Sequence, residues 1–168
     1  RSNVTWFSTK VRYQKTMEDG SEKVVTENYL VDALSFTEAE SAITDEMSVY
    51  VSGEFQVSGI AKAAYNEVFF SDVDDDDKWY KAKLQFITID EKTEKEKRST
   101  VNYLVQAKSL ARALRYVDEE MGKTMIDYDT IGLNETNLMD VFEHQAPNKE
   151  EKNDVPEYEQ GNAEQPAE

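Results

Sequence analysis

The sequence NYLV stands at Asn28–Val31 and again at Asn102–Val105, and this repetition decides the fold. Each copy leads into a helical pattern that begins at a serine, Ser35 in the first copy and Ser109 in the second. Four matching residues are weak support on their own, but the similarity continues on both sides of the motif. A self-similarity of this length predicts that one supersecondary unit occurs twice in the chain.

The match extends over most of the chain at an offset of 73 or 74 residues, with aligned pairs that include Trp6 and Trp79, Met47 and Met121, Gly59 and Gly132, and Phe69 and Phe142. We therefore divide the chain into repeat one (1–70), an acidic connector (71–77), repeat two (78–143) and an acidic tail (144–168). The tail holds all three prolines and almost no apolar residues, so it is predicted to be disordered.

Repeat one begins with a predicted β-hairpin. Residues 5–16 alternate in side-chain character, Asp19-Gly20 is a strong turn signal, and residues 24–31 are rich in β-branched and aromatic side chains. After a helix, residues 55–70 are predicted to form one long bent strand or two short ones. The repeat is therefore ββαβ, or ββαββ if the last strand is divided.

Each repeat also contains one predicted helix. In repeat one, Ser35 and Glu38 match a capping box. Apolar residues at helical spacing give each helix a stripe to bury, namely Phe36, Ala39, Ile43 and Met47 in the first, and Leu110, Ala113, Leu114, Val117 and Met121 in the second. Because sheet faces and helix stripes must cover each other, we predict an α+β fold of two pseudo-symmetric repeats with antiparallel sheets.

The chain of 168 residues is acidic, and the charge is unevenly distributed. The formal net charge is −16, of which repeat two carries only −1. Strong acidity argues against non-specific binding to a nucleic-acid backbone, which depends on Lys and Arg. The absence of cysteine excludes disulfides, thiolate nucleophiles and zinc–thiolate sites, and it fits an intracellular protein. No apolar run is long enough to span a membrane, and we expect a cytoplasmic protein.

The sequence offers no common catalytic machinery. The single histidine, His144, lies where the folded pattern gives way to the tail, so it is not expected to be positioned as a general base. The connector residues Asp72–Asp77 resemble the start of a calcium loop, but Asp77 stands where glycine is required and Lys83 where a bidentate glutamate belongs. We interpret the connector as a solvated spacer, and we predict no catalytic residue, metal ligand or cofactor.

Repeat two carries the candidate binding residues. Lys108, Arg112 and Arg115 follow at i, i+4 and i+7 on one helical face. Four more cations lie on the neighbouring strands and turn: Lys81, Lys83, Lys97 and Arg98. Beside exposed aromatic side chains, such a face would bind unpaired bases. The interpretation that we favour is that the aromatic residues are core and the cations are ordinary surface.

The segments Trp6–Tyr13 and Tyr29–Glu40 resemble an uncharacterised domain-of-unknown-function family from Bacteroidota and their phages and mobile elements, and Ser52–Phe55 and Val105–Ala107 fit the same family. The resemblance covers roughly residues 5–143. It implies a bacterial or phage cytoplasmic setting, and it brings no activity. At the level of fold, the order of elements is also similar to single-stranded nucleic-acid binders of the PUR and whirly kind, which is a weak basis for function.

We therefore predict a non-enzymatic binding or accessory protein that acts through protein–protein contacts. Single-stranded nucleic-acid binding by the basic residues of repeat two is the alternative hypothesis. An enzyme of an unrecognised type is the third.

Overall fold

The computed structural model describes residues 5–144, so the predicted disordered tail lies outside the described residues apart from His144. The described chain has the order β1 (Trp6–Thr16), β2 (Glu22–Asp32), α1 (Phe36–Tyr50), β3 (Phe55–Ala63), β4 (Glu67–Phe69), β5 (Lys78–Ile89), β6 (Glu96–Ala107), α2 (Leu110–Met121), β7 (Asp127–Glu135) and β8 (Leu138–Phe142). Both halves follow the order ββαββ, which is the longer of the two predicted alternatives. The predicted α+β class is confirmed.

Each repeat opens with a long antiparallel hairpin. β1 pairs with β2 along its whole length, and β5 does the same with β6. In the first turn, Gly20 has a φ of 86°, a conformation that glycine adopts without the strain a Cβ atom would cause. The first hairpin was predicted from alternation and its turn signal and the second from the repeat, and both are confirmed.

Serine side chains cap both helices at their N-termini. The hydroxyl of Ser35 accepts a hydrogen bond from the Glu38 N–H at 3.1 Å, and the hydroxyl of Ser109 accepts one from the Arg112 N–H at 3.1 Å. The Glu38 carboxylate reaches back and accepts from the Leu34 N–H at 3.1 Å. These bonds satisfy N–H groups that have no partner inside a helix. The predicted helix starts are therefore confirmed.

The closing strands are exchanged between the repeats. The first sheet has the order β3-β1-β2-β8, and the second has the order β4-β6-β5-β7. Thus β8, from repeat two, completes the sheet of repeat one, and β4, from repeat one, completes the sheet of repeat two. The ladder between β4 and β6 differs from the predicted antiparallel arrangement, since these two strands run parallel. Parallel pairing is available here because β4 reaches β6 by way of β5 and not through a direct hairpin.

A hydrogen bond from a backbone N–H to a side-chain oxygen anchors the chain just beyond each exchanged strand. The Ser71 N–H donates to Gln106 Oε1 at 2.8 Å. At the aligned positions of the other repeat, the His144 N–H donates to Asp32 Oδ1. The imidazole Nε2 of His144 also lies 2.7 Å from Glu46 Oε2. The same two aligned positions therefore make the same contact in both repeats.

The chain forms two compact units, each with its own core. Within the described chain, the first unit contains residues 5–62 together with 141–144, and the second unit runs from Ala63 to Asp140. In the first unit, α1 packs on the sheet through a cluster that includes Phe7, Val11, Val31, Ala39, Ile43 and Met47. In the second unit, α2 packs through a cluster that includes Tyr80, Leu84, Val105, Ala113, Val117 and Met121.

Three residues of the predicted helix stripes are not buried. Phe36, Leu110 and Leu114 are 49%, 51% and 41% exposed. The fully buried residues of each helix form a single row spaced by four, Ala39–Met47 in α1 and Ala113–Met121 in α2. Apolar side chains beside that row therefore stay at the surface, and α2 keeps two exposed leucines.

Candidate functional site

An open groove lies between helix α2 and strand β7 in the second unit. Its volume is about 1010 Å³. The helix contributes Leu110 and Leu114, and the strand contributes Ile131, which is 47% exposed. Exposed apolar side chains gathered in one place mark an interaction site more often than single ones scattered over a surface. We call this feature the α2–β7 groove.

A β-bulge shapes the strand side of the α2–β7 groove. In the ladder between β5 and β7, Lys83 lies opposite Gly132 and Leu84 lies opposite Thr130. Ile131 is therefore the extra residue of the bulge. Bulges redirect side chains, and here both Thr130 and Ile131 line the groove.

One carboxylate, that of Asp118, lies at one end of the α2–β7 groove. The Tyr128 hydroxyl donates to Asp118 Oδ1 at 2.6 Å, and this hydrogen bond, together with burial and the carboxylate charge, raises the pKa of Tyr128 to about 12. Asp129 lies opposite Gln85, on the sheet face that points away from α2, and its Oδ2 accepts from Arg98 Nη1 at 2.8 Å. Asp118 lines the groove and is exposed. Its carboxylate keeps lone pairs for a further donor, so the groove is apolar along its length and acidic at one end.

The aligned positions of repeat one do not form an equally apolar surface. Leu114 aligns with Glu40, and Ile131 aligns with Ser58. Leu110 aligns with Phe36, so one apolar position is shared. The apolar character of the α2–β7 groove therefore depends on two positions at which the repeats differ.

Two of the three cations predicted on the face of helix α2 lie close to carboxylates. Arg112 Nη1 lies 3.6 Å from Asp76 Oδ1. Arg115 Nε lies 3.8 Å from Glu119 Oε2, and its guanidinium carbon lies 5.9 Å from the ring centre of Tyr116. Lys108 is exposed just before the helix. The three residues therefore do not form a row of free positive charges.

Two of the predicted strand cations lie on the other face of the sheet. Lys81 and Lys83 are exposed and alternate along β5 with Ala82 and Leu84. Ala82 and Leu84 pack against α2, so the two lysines face away from that helix. Lys81 and Lys83 therefore do not share a surface with the cations of α2.

The remaining predicted cations lie toward the far end of the second hairpin. Arg98 forms ion pairs with Glu96 at 2.6 Å and with Asp129 at 2.8 Å. Lys97 is exposed opposite Thr88. Arg98 is therefore held by two carboxylates, and neither Arg98 nor Lys97 is among the residues lining the α2–β7 groove.

A buried carboxylate in the connector was not predicted. Asp76 is 2% exposed, so the interpretation of the connector as a solvated spacer is wrong at this residue. Its Oδ2 accepts hydrogen bonds from the hydroxyls of Ser71 and Tyr116, each at 2.6 Å. Burial raises the pKa of Asp76, but these bonds, the Arg112 charge and the Lys108 N–H outweigh burial and hold the pKa below its ordinary value. The network ties the connector to α2.

A second buried carboxylate lies in the first unit. Glu27 Oε1 accepts hydrogen bonds from the hydroxyls of Tyr13 and Tyr29 at 2.9 and 2.8 Å, and Oε2 accepts one from Lys15 Nζ at 3.2 Å. Burial raises the pKa of Glu27, but the hydrogen bonds and the Lys15 charge outweigh burial and lower it. Both oxygens are engaged, as in a carboxylate that stabilises a fold.

Within residues 5–144, no three or more His, Cys, Asp or Glu side chains are grouped so that they could hold a metal ion. None of the helices in this same stretch is both long enough and apolar enough to cross a membrane. His144 and Glu46, at 2.7 Å, form a pair that sequence spacing did not reveal, because 98 residues separate them.

Comparison with known proteins identifies the family of this chain. No curated protein and no solved structure matches it. The family described as "Domain of unknown function (DUF4494)" matches residues 5–144, which include both hairpins, both helices and both exchanged strands. The matched region agrees with the extent of the resemblance seen in the sequence. The chain belongs to the DUF4494 family.

Proposed function

We propose that this chain is a non-enzymatic accessory protein that binds a segment of a partner protein in the α2–β7 groove. The observation that carries the proposal is the exposure of Leu110, Leu114 and Ile131 around one open groove. Burying apolar surface is the main driving force of protein association. Exposed apolar residues on both a helix and a strand give a partner two walls to contact.

The chemistry of the partner segment follows from the lining. Apolar side chains match the leucines of α2 and Ile131, and a lysine or arginine matches Asp118 at the acidic end. The net charge of −16 also favours the approach of a basic partner over an acidic one. The partner segment is therefore apolar with a basic residue at one end. The cytoplasmic setting inferred from the sequence is part of the same proposal.

The arrangement of the cations supports single-stranded nucleic-acid binding less well. Arg98, Arg112 and Arg115 lie within ion-pairing distance of carboxylates. A phosphate would have to displace those carboxylates before it could occupy the same donors. Lys81 and Lys83 lie on the opposite sheet face from α2, so the seven predicted residues do not form one binding track.

Photo-cross-linking in cells tests the protein-binding proposal. A photoreactive amino acid replaces Ile131 in one full-length variant and the aligned Ser58 in a matched control. We expect the variant at position 131 to attach to discrete segments that contain apolar and basic residues, and the control to give much less product. Equal cross-linking at both positions, or none at position 131, would contradict the proposal.

Fluorescence anisotropy with labelled oligo-dT at low salt tests the alternative. We expect no binding up to about 100 μM, near the weak end of non-specific affinities. Binding that is lost on charge reversal of Lys108 and Arg115 would support the nucleic-acid hypothesis instead. Arg112 is unsuitable for this test, because its reversal would place a second negative charge beside the buried Asp76.

A further inference from the structure

We infer that the partner segment binds as an added β-strand on the outer edge of β7, an inference that rests on the proposed function. The strand order β4-β6-β5-β7 ends at β7, so in the described chain one edge of β7 has no strand beside it. Such an edge presents backbone N–H and C=O groups that an extended peptide can pair with. The α2–β7 groove runs directly alongside this strand.

β7 has some of the usual protection against strand addition, namely the bulge at Ile131 and its acidic ends, but it lacks lysine and proline. Edge strands are commonly blocked by lysine or proline, and β7, with the sequence DYDTIGLNE, contains neither. Its charged residues are all acidic and lie toward its two ends, which leaves the centre from Thr130 to Asn134 uncharged. β3, the aligned strand at the edge of the first sheet, carries Lys62. A basic segment would therefore meet no like charge on β7.

The bulge at Ile131 shapes the space that an added strand would fill. Thr130, Ile131 and Gly132 all line the groove, and Gly132 has no side chain to fill the space beside Ile131. An added strand would direct alternate side chains into the α2–β7 groove, between β7 and Leu114. Its other side chains would point away from α2.

The length of the groove sets the length of the occupant. From Leu110 to Asp118, helix α2 advances about 12 Å at 1.5 Å per residue. An extended strand covers that distance in about four residues. We therefore expect a core pattern of apolar residues at positions i and i+2 and a lysine or arginine at i+4, with the basic residue beside Asp118. A helical occupant would instead repeat its apolar residues at i, i+3 or i+4, and i+7.

Selection of random twelve-residue peptides displayed on phage tests this inference. The target is the full chain, and the counter-target is the double variant Leu114→Glu, Ile131→Ser, in which both substituted residues are those of repeat one. Thermal melting of the variant checks that it folds. Enriched peptides are then synthesised with and without N-methylation of the backbone amides in the selected pattern, and their affinities are measured.

The inference predicts enriched peptides with apolar residues two apart followed by a lysine or arginine, and a loss of at least tenfold in affinity on N-methylation. Enriched peptides with helical spacing, or peptides whose affinity is insensitive to N-methylation, would overturn strand addition while leaving the groove as the binding site. The absence of any peptide that prefers the wild-type chain to a folded double variant would overturn the proposed function itself.

Discussion

At position 27 the first unit holds a buried glutamate bonded to Tyr13 and Tyr29, whereas the aligned position 101 of the second unit holds a valine. Tyr13 aligns with Phe86, whose ring packs edge-on against that of Tyr103 with the ring centres 6.2 Å apart. At the surface the second unit is again the more apolar one, since it has Leu114 and Ile131 where the first unit has Glu40 and Ser58.

This comparison separates the positions that build the frame from those that give each unit its own properties. The cap serines, the buried rows Ala39–Met47 and Ala113–Met121, and the exchanged strands occur in both units. The hydrogen-bond network around Glu27 occurs in the first unit, and the α2–β7 groove occurs in the second. We infer that the frame tolerates such differences because they lie beside the shared helix row and not within it.

The largest expected effect comes from the exchanged strands. Phe142 is 9% exposed and stacks with Tyr29 at 5.6 Å, whereas the aligned Phe69 is half-buried against the second core. We expect Phe142→Ala to lower the free energy of unfolding by about 3 kcal/mol, and Phe69→Ala to lower it by less. Amide hydrogen exchange of both variants tests where the loss occurs. Loosened strand pairing should speed exchange in β2 for Phe142→Ala and in β6 for Phe69→Ala. Faster exchange confined to β7 in the Phe142 variant would contradict the strand order.

A smaller effect is expected at the polar network of the first unit. Glu27→Gln removes a charge that accepts three hydrogen bonds, and we expect a loss of about 2 kcal/mol at neutral pH. The pKa of Glu27 is lowered from its ordinary 4.5 in the folded protein. Its contribution is therefore present above pH 4.5 and is lost as the pH falls through the lower folded value. Chemical denaturation of both proteins at pH 7 and pH 3 checks this, and the stability difference should shrink at pH 3.

A double variant that copies the second unit serves as the control for this network. Glu27→Val with Tyr13→Phe reproduces Val101 and Phe86, and it removes both an acceptor and one of its donors. We expect it to be more stable than Glu27→Gln, since replacing both partners by apolar groups is close to neutral. A double variant less stable than Glu27→Gln would show that the two units are not interchangeable at these positions.

The smallest effect on stability is expected at the α2–β7 groove. Leu114→Glu and Ile131→Ser change exposed residues, so each should shift the free energy of unfolding by no more than about 0.5 kcal/mol. Binding of a selected peptide should nevertheless fall strongly. Thermal melting and titration of the same samples test both statements. A large loss of stability would mean that the two side chains serve the fold and not a partner.

Much of the fold could be predicted from sequence because its signals are local. The Ser35 and Ser109 caps, the Asp19-Gly20 turn and the alternation along the hairpins each depend on residues close together in the chain. The exchange of β4 and β8 could not be predicted, because Val68 and Val141 fit either sheet equally well by composition. The α2–β7 groove could not be predicted for a related reason. Periodicity placed Leu110 and Leu114 in a buried stripe, and only the tertiary packing shows that the contact row is narrow.

The charged groups show the same limit. Asp76 lies in a run of aspartates that looks solvated, and its burial depends on Tyr116, 40 residues away. Lys81 and Lys83 were grouped with Arg112 because all are cations of repeat two. The alternation of side chains along β5 directs the two lysines away from the helix. Sequence gives the charge of such residues but not their neighbours.

Hydrogen exchange of the β7 amides, with and without a selected peptide, tests most directly whether the second unit binds a partner at its open edge. Only alternate amides of β7 face β5, and the others face outward. We predict that peptide binding slows exchange at the outward amides between Asp129 and Leu133, while the amides of β3 in the first unit are unchanged. Unchanged exchange along β7 at saturating peptide would contradict the account.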